Sequence, residues 1–402
     1  MTDYEINVPG NLLSSLLSEQ DGLAKLLEAV LNQLLDAQAS EQVGAGRYER
    51  SQERVAYRNG YRPRQLYTRV GPLTLRVPQM RDGQFSTEIF SRYQRSEQAL
   101  VLSLMEMVLN GVSTRKVTKI TEELCGASFS KSTVSQLCLG LDARVTAFNE
   151  RELGAFPFVI VDAMYFKARD GNAVQSKAAL VVSGVNEQGH REILGLRIGD
   201  SESEAFWLDT FRWLRQRGLK DVRCAVSDDH SGLVNAAQLC FQGAIWQRCQ
   251  VHFMRNVLSH TSAKHKQEMG EGLKRIFNSD NGKEARQKFN ELAAQIENKA
   301  AKAIDCLERG LEDALAVLAL PSKYRKRLKS TNMQERLIQE IRRRERVIRI
   351  FPNEESALRL MGALLAEIHE EWQGRRYLDM DVFHEWAAER SNAPEETVLQ
   401  IR

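Results

Sequence analysis

A short apolar run that ends abruptly in polar residues constrains the fold most. Residues 222–226 (VRCAV) are followed at once by the polar sequence SDDHSG (227–232), so we expect a buried strand that ends in a turn. Residues 233–241 have the apolar spacing of a helix packed on a sheet, and residues 244–246 form a second short apolar run. Because α/β proteins place functional residues in such turns, Asp228 is a candidate site residue.

The residues before this run extend the same pattern. Residues 156–167 form a β-rich apolar run interrupted by one acid, Asp162, which must be paired, solvated or metal-bound, because burying a lone carboxylate is costly. Residues 178–185 and 191–198 are typical of an antiparallel hairpin, and residues 207–214 of an amphipathic helix. The order is strand, strand, strand, helix, strand, helix, strand, which predicts an α/β domain.

The residues after residue 254 have helical periodicity. The charged stretch 255–320 predicts an all-helical insertion closed by Pro321. We expect a further helix to begin at Thr331, because Thr331 and Gln334 have the spacing of a capping box. This helix carries Glu335 in its first turn, and the tail beyond it predicts helical cover for the core.

Asp162, Asp228 and Glu335 are the candidate catalytic and metal-binding residues. A sheet that brings the first and fourth predicted strands together, with the late helix across them, would make these carboxylates converge. Carboxylate oxygens suit Mg²⁺, and two such ions support phosphodiester chemistry. Other interpretations stay open: Asp228 could be a turn residue, Glu335 could serve only the helix N-terminus, and Asp229 is a rival for the role of Asp228.

Charge is distributed unevenly along the N-terminal part. Residues 1–45 are mostly acidic, with leucine and valine at heptad spacing (positions 23, 27, 30 and 34), which fits either a dimer arm or an intramolecular helix pair. Residues 47–81 carry nine arginines against two glutamates, and a second basic block spans 323–349. This asymmetry favours contact with a phosphate backbone, although the net charge of the chain is only +3. A solvated basic surface is the alternative.

Two short helices are predicted around a turn at Gly126. Ser113 is a natural N-cap for the first helix, and either Ser130 or Ser132 could cap the second. The pattern fits a helix-turn-helix, whose second helix meets DNA at its leading end, or an ordinary helix pair in a core. The candidate DNA-binding residues of the chain are Arg58, Arg62, Arg64, Arg69, Lys131, Ser132, Arg342, Arg343 and Arg344.

Composition excludes some other classes of protein. The six cysteines lack a paired spacing, which indicates reduced thiols in a cytoplasmic protein. No apolar run has the length of a membrane span, and the N-terminus lacks the pattern of a signal peptide, so we expect a soluble, unexported protein.

Cys249 and His252 form a C-x-x-H element, which predicts a structural or site-supporting role more than a zinc site, because closed zinc sites need four ligands.

Ordered blocks of the chain resemble the bacterial Mutator-like insertion-sequence transposases, over about residues 45–360. The blocks are VDAMYFKAR (161–169), AVSDDHSGL (225–233), IWQRCQVHFMRN (245–256), STNMQERLIQEIRRRERVIRIFPN (330–353) and, in the N-terminal part, RNGYRPRQLYTRVGPLTLRVPQMRDGQF (58–85). The resemblance implies a ribonuclease-H-like mixed sheet interrupted by an all-helical insertion, preceded by a mainly helical DNA-binding region with a helix-turn-helix.

The resemblance also implies a function. Asp162, Asp228 and Glu335 take the positions of a DDE transposase triad that binds two Mg²⁺ or Mn²⁺ ions, with Cys249, His252 and Asn332 in supporting positions. The implied partners are double-stranded DNA, both terminal inverted repeats and target, and further copies of the chain as a homodimer or larger homo-oligomer. No membrane partner is implied, and the expected location is the bacterial cytoplasm, on the nucleoid when bound to DNA. A nuclease of the same fold and a catalytically silent DNA-binding regulator are the alternatives.

The expected organisation has five segments. They are 1–45, helical, either a dimerisation segment or part of an intramolecular helix pair; 46–150, DNA-binding, with the helix-turn-helix near 113–143; 151–254, the first part of the catalytic domain; 255–329, the helical insertion; and 330–402, the last catalytic helix and C-terminal helices.

Overall fold

The structure is a computed structural model that describes residues 4–16, 18–19, 21–81, 85–87, 89–90 and 94–392. Residues 1–3 of the predicted segment 1–45 and residues 393–402 of the predicted segment 330–402 lie outside the described residues, as do residues 82–84 of the sequence block 58–85. The chain forms two compact units, Met1–Gly140 and Leu141–Arg402. Among the described residues, no helix is long and apolar enough to cross a membrane.

The first unit joins a β-hairpin to helices. Its elements are α1 (Gly10–Ser15), α2 (Gly22–Val43), β1 (Arg58–Thr68), β2 (Gly71–Met80), α3 (Gln98–Leu109), α4 (Thr114–Cys125) and α5 (Lys131–Leu137). Strands β1 and β2 pair antiparallel. Alternate apolar residues of β2, such as Leu73 and Leu75, pack on Leu35 and Leu27 of α2. The helix predicted to have a heptad seam therefore has an intramolecular partner in this hairpin.

Helices α4 and α5 form around the predicted turn. The Ser113 hydroxyl accepts the Lys116 N–H, and the Ser130 hydroxyl accepts the Thr133 N–H. Ser130, rather than Ser132, therefore caps the second helix. Gly126 ends α4 with a φ of 61°, a left-handed conformation that glycine adopts at little cost.

The second unit contains a mixed five-stranded sheet surrounded by helices. Its elements are α6 (Asp142–Glu150), β3 (Phe158–Asp170), β4 (Ala173–Val185), β5 (Arg191–Gly199), α7 (Glu204–Gln216), β6 (Cys224–Ser227), α8 (Ser231–Cys240), β7 (Ile245–Arg248), α9 (Gln250–Ser259), α10 (Lys266–Phe277), α11 (Gly282–Leu315), α12 (Ser322–Leu328), α13 (Asn332–Ile348), α14 (Glu354–Gln373) and α15 (Phe383–Asn392). The strand order is β5-β4-β3-β6-β7. The β5–β4 and β4–β3 pairs are antiparallel, and the β3–β6 and β6–β7 pairs are parallel. The predicted α/β class is thus confirmed.

The two faces of the sheet are covered by different helices. Val159 and Val161 of β3 belong to the core that includes Trp207 and Phe211 of α7. Phe158 lies on the opposite face, because side chains alternate along a strand, and its ring contacts the ring of Tyr324. Helices α13 and α14 contact β3 on that face.

The stretch after β7 is helical, as predicted, and has a hydrophobic core of its own. Residues of α9, α10 and α11 form this core, which includes Phe253, Leu273 and Leu307. Helix α11 is interrupted at Ala300, whose φ of −150° and ψ of 44° are not helical. These helices therefore pack around a core of their own, and all five strands of the sheet come from the residues before them.

The predicted capping box at Thr331 and Gln334 is wrong. Helix α13 does begin at Asn332, but the side chain of Thr331 makes no capping hydrogen bond. Its hydroxyl donates instead to Cys249 Sγ at 3.3 Å. The Gln334 amide donates to the Val181 carbonyl at 2.8 Å and accepts from the Ser183 hydroxyl at 2.7 Å. Both residues are fully buried, and buried polar groups need hydrogen-bond partners. Their side chains therefore bond to groups of other elements instead of capping the helix.

Candidate active site

The sheet places two predicted acids side by side. Strand β3 pairs parallel with β6, with Phe158 opposite Cys224 and Ile160 opposite Val226. The same register, continued by two residues, puts Asp162 level with Asp228. Asp228 directly follows β6, while Asp162 lies inside the longer strand β3. Adjacent parallel strands therefore bring both carboxylates to one place at the edge where β6 ends.

Helix α13 brings the third acid to the same place. Glu335 lies in its first turn, and α13 packs against β3. Asp162, Asp228 and Glu335 line one open cleft of about 760 Å³. The structure thus assembles the three acids that the sequence separates, and Asp228, not its neighbour, lines the cleft. The carboxylate of Asp229 pairs instead with Arg248 at 2.9 Å.

His252 of α9 connects two of these acids. Its Nδ1 contacts the Asp228 carboxylate, and its Nε2 lies 3.0 Å from Glu335 Oε1. Arg255, one helical turn further along α9, donates to the same Glu335 oxygen at 3.2 Å. Sequence reasoning missed Arg255, although its position three residues after His252 places it on the same helix face.

The electrostatics of the cleft reflect crowded negative charge. The pKa of Asp162 is raised to about 7, chiefly by burial and also by the nearby carboxylates of Asp228 and Glu335, while the Ala163 N–H and His252 oppose the shift. Hydrogen bonds to Asp228 and Cys249 raise the pKa of His252 to about 10. His252 is therefore charged at neutral pH, and its imidazolium and the Arg255 guanidinium together face three acids. This arrangement favours further cations in the cleft.

Cys249 ties the start of α9 to the start of α13. Its side chain is fully buried, and Sγ accepts hydrogen bonds from the N–H of Thr331 at 3.4 Å and from its hydroxyl. Burial works to raise the pKa of Cys249, but hydrogen bonds to His252 and Thr331 together lower it. Cys249 thereby fixes the two helices that carry His252 and Glu335.

Metal binding by the C-x-x-H element itself would need more ligands. Ligand atoms of Asp228, Cys249 and His252 lie within 4.8 Å of one another. A closed zinc site takes four ligands, and Cys249 is held by Thr331. Asn332, predicted to support the site, is exposed and lines a separate cleft beside α13, so it does not reach the acids.

Of the three arginines predicted on α13, two border the acid cleft. Arg342 and Arg343 line it together with Arg346. Arg344 turns away and pairs with Glu340. The Arg342 guanidinium also donates to the Tyr165 carbonyl at 2.8 Å. The cleft therefore has acids at one side and guanidinium groups along α13.

The predicted DNA-binding residues of the first unit differ in exposure. Arg62, Lys131 and Ser132 are exposed. Arg58 donates to the Ser40 hydroxyl at 2.6 Å, and Arg64 packs over the Phe90 ring at 4.0 Å, so both hold the hairpin in place.

Other arginines of this unit are better placed for a ligand. Arg69, the remaining predicted residue, is exposed but pairs with Glu97 at 2.8 Å. Arg47, Arg50 and Arg54 line a cleft of about 810 Å³, which Tyr57 and the predicted residue Arg58 also line. Sequence reasoning counted these three arginines in the basic block but did not select them as contacts.

The fold and the cleft define a mixed α/β protein. The central strands β3 and β6 of its sheet carry an acidic site bordered by arginines. Comparison with known proteins agrees with the resemblance found in the sequence. The family model described as "Transposase, Mutator family" matches residues 9–375. The chain therefore belongs to the Mutator family of transposases, and the family predicted from the sequence blocks is confirmed.

Individual relatives match over nearly their whole length. The transposase for insertion sequence element ISRM5 of Rhizobium meliloti (strain 1021) is 45% identical over 372 residues, covering 92% of this chain and 94% of the relative. The transposase for IS256 in transposon Tn4001 of Staphylococcus aureus is 43% identical over 390 residues, covering 95% and 100%. The transposase for IS1081 of Mycobacterium tuberculosis (strain ATCC 25618 / H37Rv) is 37% identical over 366 residues, covering 90% and 88%.

Proposed function

We propose that this protein is the transposase of an insertion sequence, which binds the terminal inverted repeats of its element and cuts and joins DNA at them. The observation that carries the proposal is the convergence of Asp162, Asp228 and Glu335 on one open cleft bordered by guanidinium groups. Carboxylates suit the catalysis of phosphodiester cleavage through metal ions, and arginines suit the binding of a phosphate backbone.

We propose a ribonuclease-H-like fold for the second unit. Three antiparallel strands are followed by two parallel strands in the order β5-β4-β3-β6-β7, which supports this assignment. The helices α9, α10 and α11 then fall between the last strand and the helix that carries Glu335, as an insertion would. The long separation of Glu335 from Asp228 in sequence follows from this insertion.

The acids fit a hard divalent cation. Their donors are carboxylate oxygens, and they face an open cleft. Burial and the charges of Asp228 and Glu335 raise the pKa of Asp162, and a bound cation would lower it again. Asp162, Asp228 and Glu335 would hold two Mg²⁺ or Mn²⁺ ions. Such ions, when bound, activate the attacking oxygen and stabilise the leaving oxygen.

The surrounding residues orient the acids and the DNA. His252 and Arg255 hold Glu335 from one side, and His252 also holds Asp228, so two of the three carboxylates have fixed partners. Arg342, Arg343 and Arg346 face the same cleft and would bind phosphate oxygens next to the reacting bond.

For the first unit we propose recognition of the inverted repeats, with α4 and α5 as a helix-turn-helix. Lys131 and Ser132 are exposed at the leading end of α5, where such a motif contacts base edges. Because two ends of an element must be processed together, we propose that the protein acts as a homodimer or larger homo-oligomer. Its place of action would be the nucleoid in the bacterial cytoplasm.

The test is cleavage and strand transfer of a labelled duplex that carries the element's own ends, with Mg²⁺ or Mn²⁺. The native chain is compared with Asp162→Asn, Asp228→Asn, Glu335→Gln and the control Asp229→Asn. Joining lost in the first three variants and retained in the control would support the proposal. Cleavage without joining would instead indicate a nuclease of the same fold, and binding without cleavage would indicate a DNA-binding regulator.

A further inference from the structure

A second cleft lies beside α13, on the face next to the one that borders the acids. Its volume is about 500 Å³, and four cations line it: Arg191, Lys326, Arg327 and Arg336. We call it the arginine cleft. Glu340 lines both this cleft and the acid cleft, so the two meet across α13. A chain-like ligand in one cleft could therefore continue into the other.

Positive charge exceeds negative charge in the arginine cleft. Within the part of the chain that the structure describes, none of its four cations forms an ion pair. Two carboxylates, Glu340 and Glu371, also line the cleft, but Glu340 is already shared between Arg343 and Arg344. Burial lowers the pKa of Arg191; Tyr377 opposes this, and the guanidinium groups of Arg327, Arg375 and Arg336 lower the pKa further. An excess of like charges around one cleft favours the binding of an anion.

Aromatic rings hold two of these guanidinium groups in position. The Arg191 guanidinium lies 4.2 Å from the Trp372 ring centroid and 5.4 Å from that of Tyr377. The Arg327 guanidinium lies 5.0 Å from the centroid of the same Tyr377 ring. Cation–π contacts fix the direction of a guanidinium group without cancelling its charge or occupying its N–H donors. The donors therefore remain available for an anionic ligand.

A polyanion fits this arrangement better than a single small anion does. The cations come from β5, α12 and α13, so they are spread along the cleft rather than gathered around one point. Arg342, Arg343 and Arg346 continue the positive charge along α13 into the acid cleft. A nucleic-acid backbone presents negative charges at regular intervals, which matches cations placed in sequence along a path.

We propose that the arginine cleft binds the phosphate backbone of the DNA strand that passes through the acid cleft, in continuation of that strand across α13. This inference rests on the proposed function, because it assigns the path of the DNA that the transposase cuts. The contact is with phosphates, so it is independent of base sequence and adds affinity rather than recognition of the repeat.

The salt dependence of DNA binding tests the number of phosphate contacts. The variant is Arg327→Gln/Arg336→Gln, since both side chains are exposed. The matched control is Arg212→Gln/Arg215→Gln, which removes the same charge from exposed positions of α7, on the other face of the sheet. The probe is a fluorescein-labelled duplex with one terminal repeat and its flanking DNA, titrated with full-length protein at increasing KCl without divalent ions.

We expect the slope of log Kd against log[KCl] to fall by about 2 in the cleft variant, since each phosphate contact contributes about 0.9. The control should keep the native slope, and thermal unfolding should confirm that both variants are folded. A slope in the cleft variant equal to that of the control would overturn the proposal.

Neutral phosphate analogues locate the contact. Single methylphosphonate linkages are moved along each strand of the probe. We expect linkages a few nucleotides from the cleavage site to weaken binding of the native chain but not of the cleft variant. If no linkage has this effect, the proposal is overturned.

These binding measurements do not depend on cleavage, so the two proposals fail differently. A native chain that binds with the expected slopes but cuts no DNA overturns the catalytic proposal alone. Equal slopes in a chain that does cut overturn the arginine cleft alone, and a chain that binds no DNA overturns both.

Discussion

The second unit has two groups of three acids, and they differ in whether a lysine lies between the carboxylates. One consists of Asp170, Asp200 and Glu354, which we call the lysine clamp, and the other of Asp162, Asp228 and Glu335. In the lysine clamp, the ammonium of Lys177 lies 2.9 Å from Asp170 and 2.5 Å from both Asp200 and Glu354. In the acid cleft, the only described cations in contact with the acids are His252 and Arg255.

The difference shows in the burial of the cation. The Lys177 side chain is 1% exposed, at the centre of its three acids. Hydrogen bonds to Asp200, Glu354 and Asp170 raise the pKa of Lys177 well above its usual range. The lysine clamp therefore ties the ends of β3 and β5 to the start of α14. The acid cleft keeps an open volume in front of its carboxylates, and burial, together with the charges of Asp228 and Glu335, raises the pKa of Asp162. A group of acids indicates a metal site only where the protein has not already filled its centre.

The largest expected effect comes from Asp162→Asn. Removing this carboxylate should lower the rate of DNA cleavage at least about 10³-fold, a size typical of loss of a catalytic group. The same change should raise the midpoint of thermal unfolding in metal-free buffer at pH 8, because it removes a buried charge and relieves repulsion from Asp228 and Glu335. Cleavage time courses and calorimetry measure the two effects. A variant less stable than the native chain would contradict the difference between the two groups of acids.

His369 provides the opposite case, a buried base that is kept neutral. Its pKa is lowered to about 4, chiefly by burial and also by the charge of Arg151, while Glu370 opposes the shift. The unfolded chain, with a histidine pKa of about 6.5, binds the proton more readily in this range. The contribution of neutral His369 to the free energy of unfolding is therefore fully present above about pH 6.5. It is lost as the pH drops towards 4, a decrease of roughly 3 kcal/mol.

The control for this loss is His369→Asn, which does not titrate but can still accept the hydrogen bond from the Ile193 N–H to Nδ1. Urea unfolding at pH 7 and pH 4.5 compares the two proteins. An equal loss of stability in acid in both would show that His369 is not its source.

His252→Asn should have a smaller effect. The asparagine amide N–H can replace the Nδ1–H that donates to Asp228 only in part, because it carries no charge, and Glu335 loses its partner at Nε2. Loss of such an orienting residue typically costs about 10–100-fold in activity or metal affinity. Cleavage rates at several Mg²⁺ concentrations measure the loss, with Asp229→Asn as the control. Native rates at every concentration would mean that His252 does not position the acids.

Lys177→Met should have the smallest effect, a decrease of about 2–4 °C in the midpoint of thermal unfolding. The effect is small because the three acids are largely exposed and solvent screens their repulsion. The variant should also acquire stabilisation by Ca²⁺ or Mg²⁺ that the native clamp lacks, since its acids would then have no cation at their centre. Calorimetry with and without the ions tests this, and absence of any gain would break the comparison.

Local patterns predicted the elements of the site but not all of their contacts. The order of strands and helices from 156 to 248 followed from apolar runs and turns, and the positions of Asp162 and Asp228 followed from where those runs stop. The cap at Ser113 was also readable, because it depends on residues only three apart. Thr331 and Gln334 have the same local spacing, yet both bond to groups far away in sequence.

The sequence by itself determined the α/β class, the helical insertion and the family, because these depend on periodicity and on ordered blocks of residues. Only the tertiary structure decided which acids share a cleft, since pairing of β3 with β6 and packing of α13 join residues far apart in sequence. It also decided that Lys177 fills one group of acids and that Arg191 and Arg336 face one cleft. Charges interact through space at distances of a few ångströms, which sequence separation does not encode.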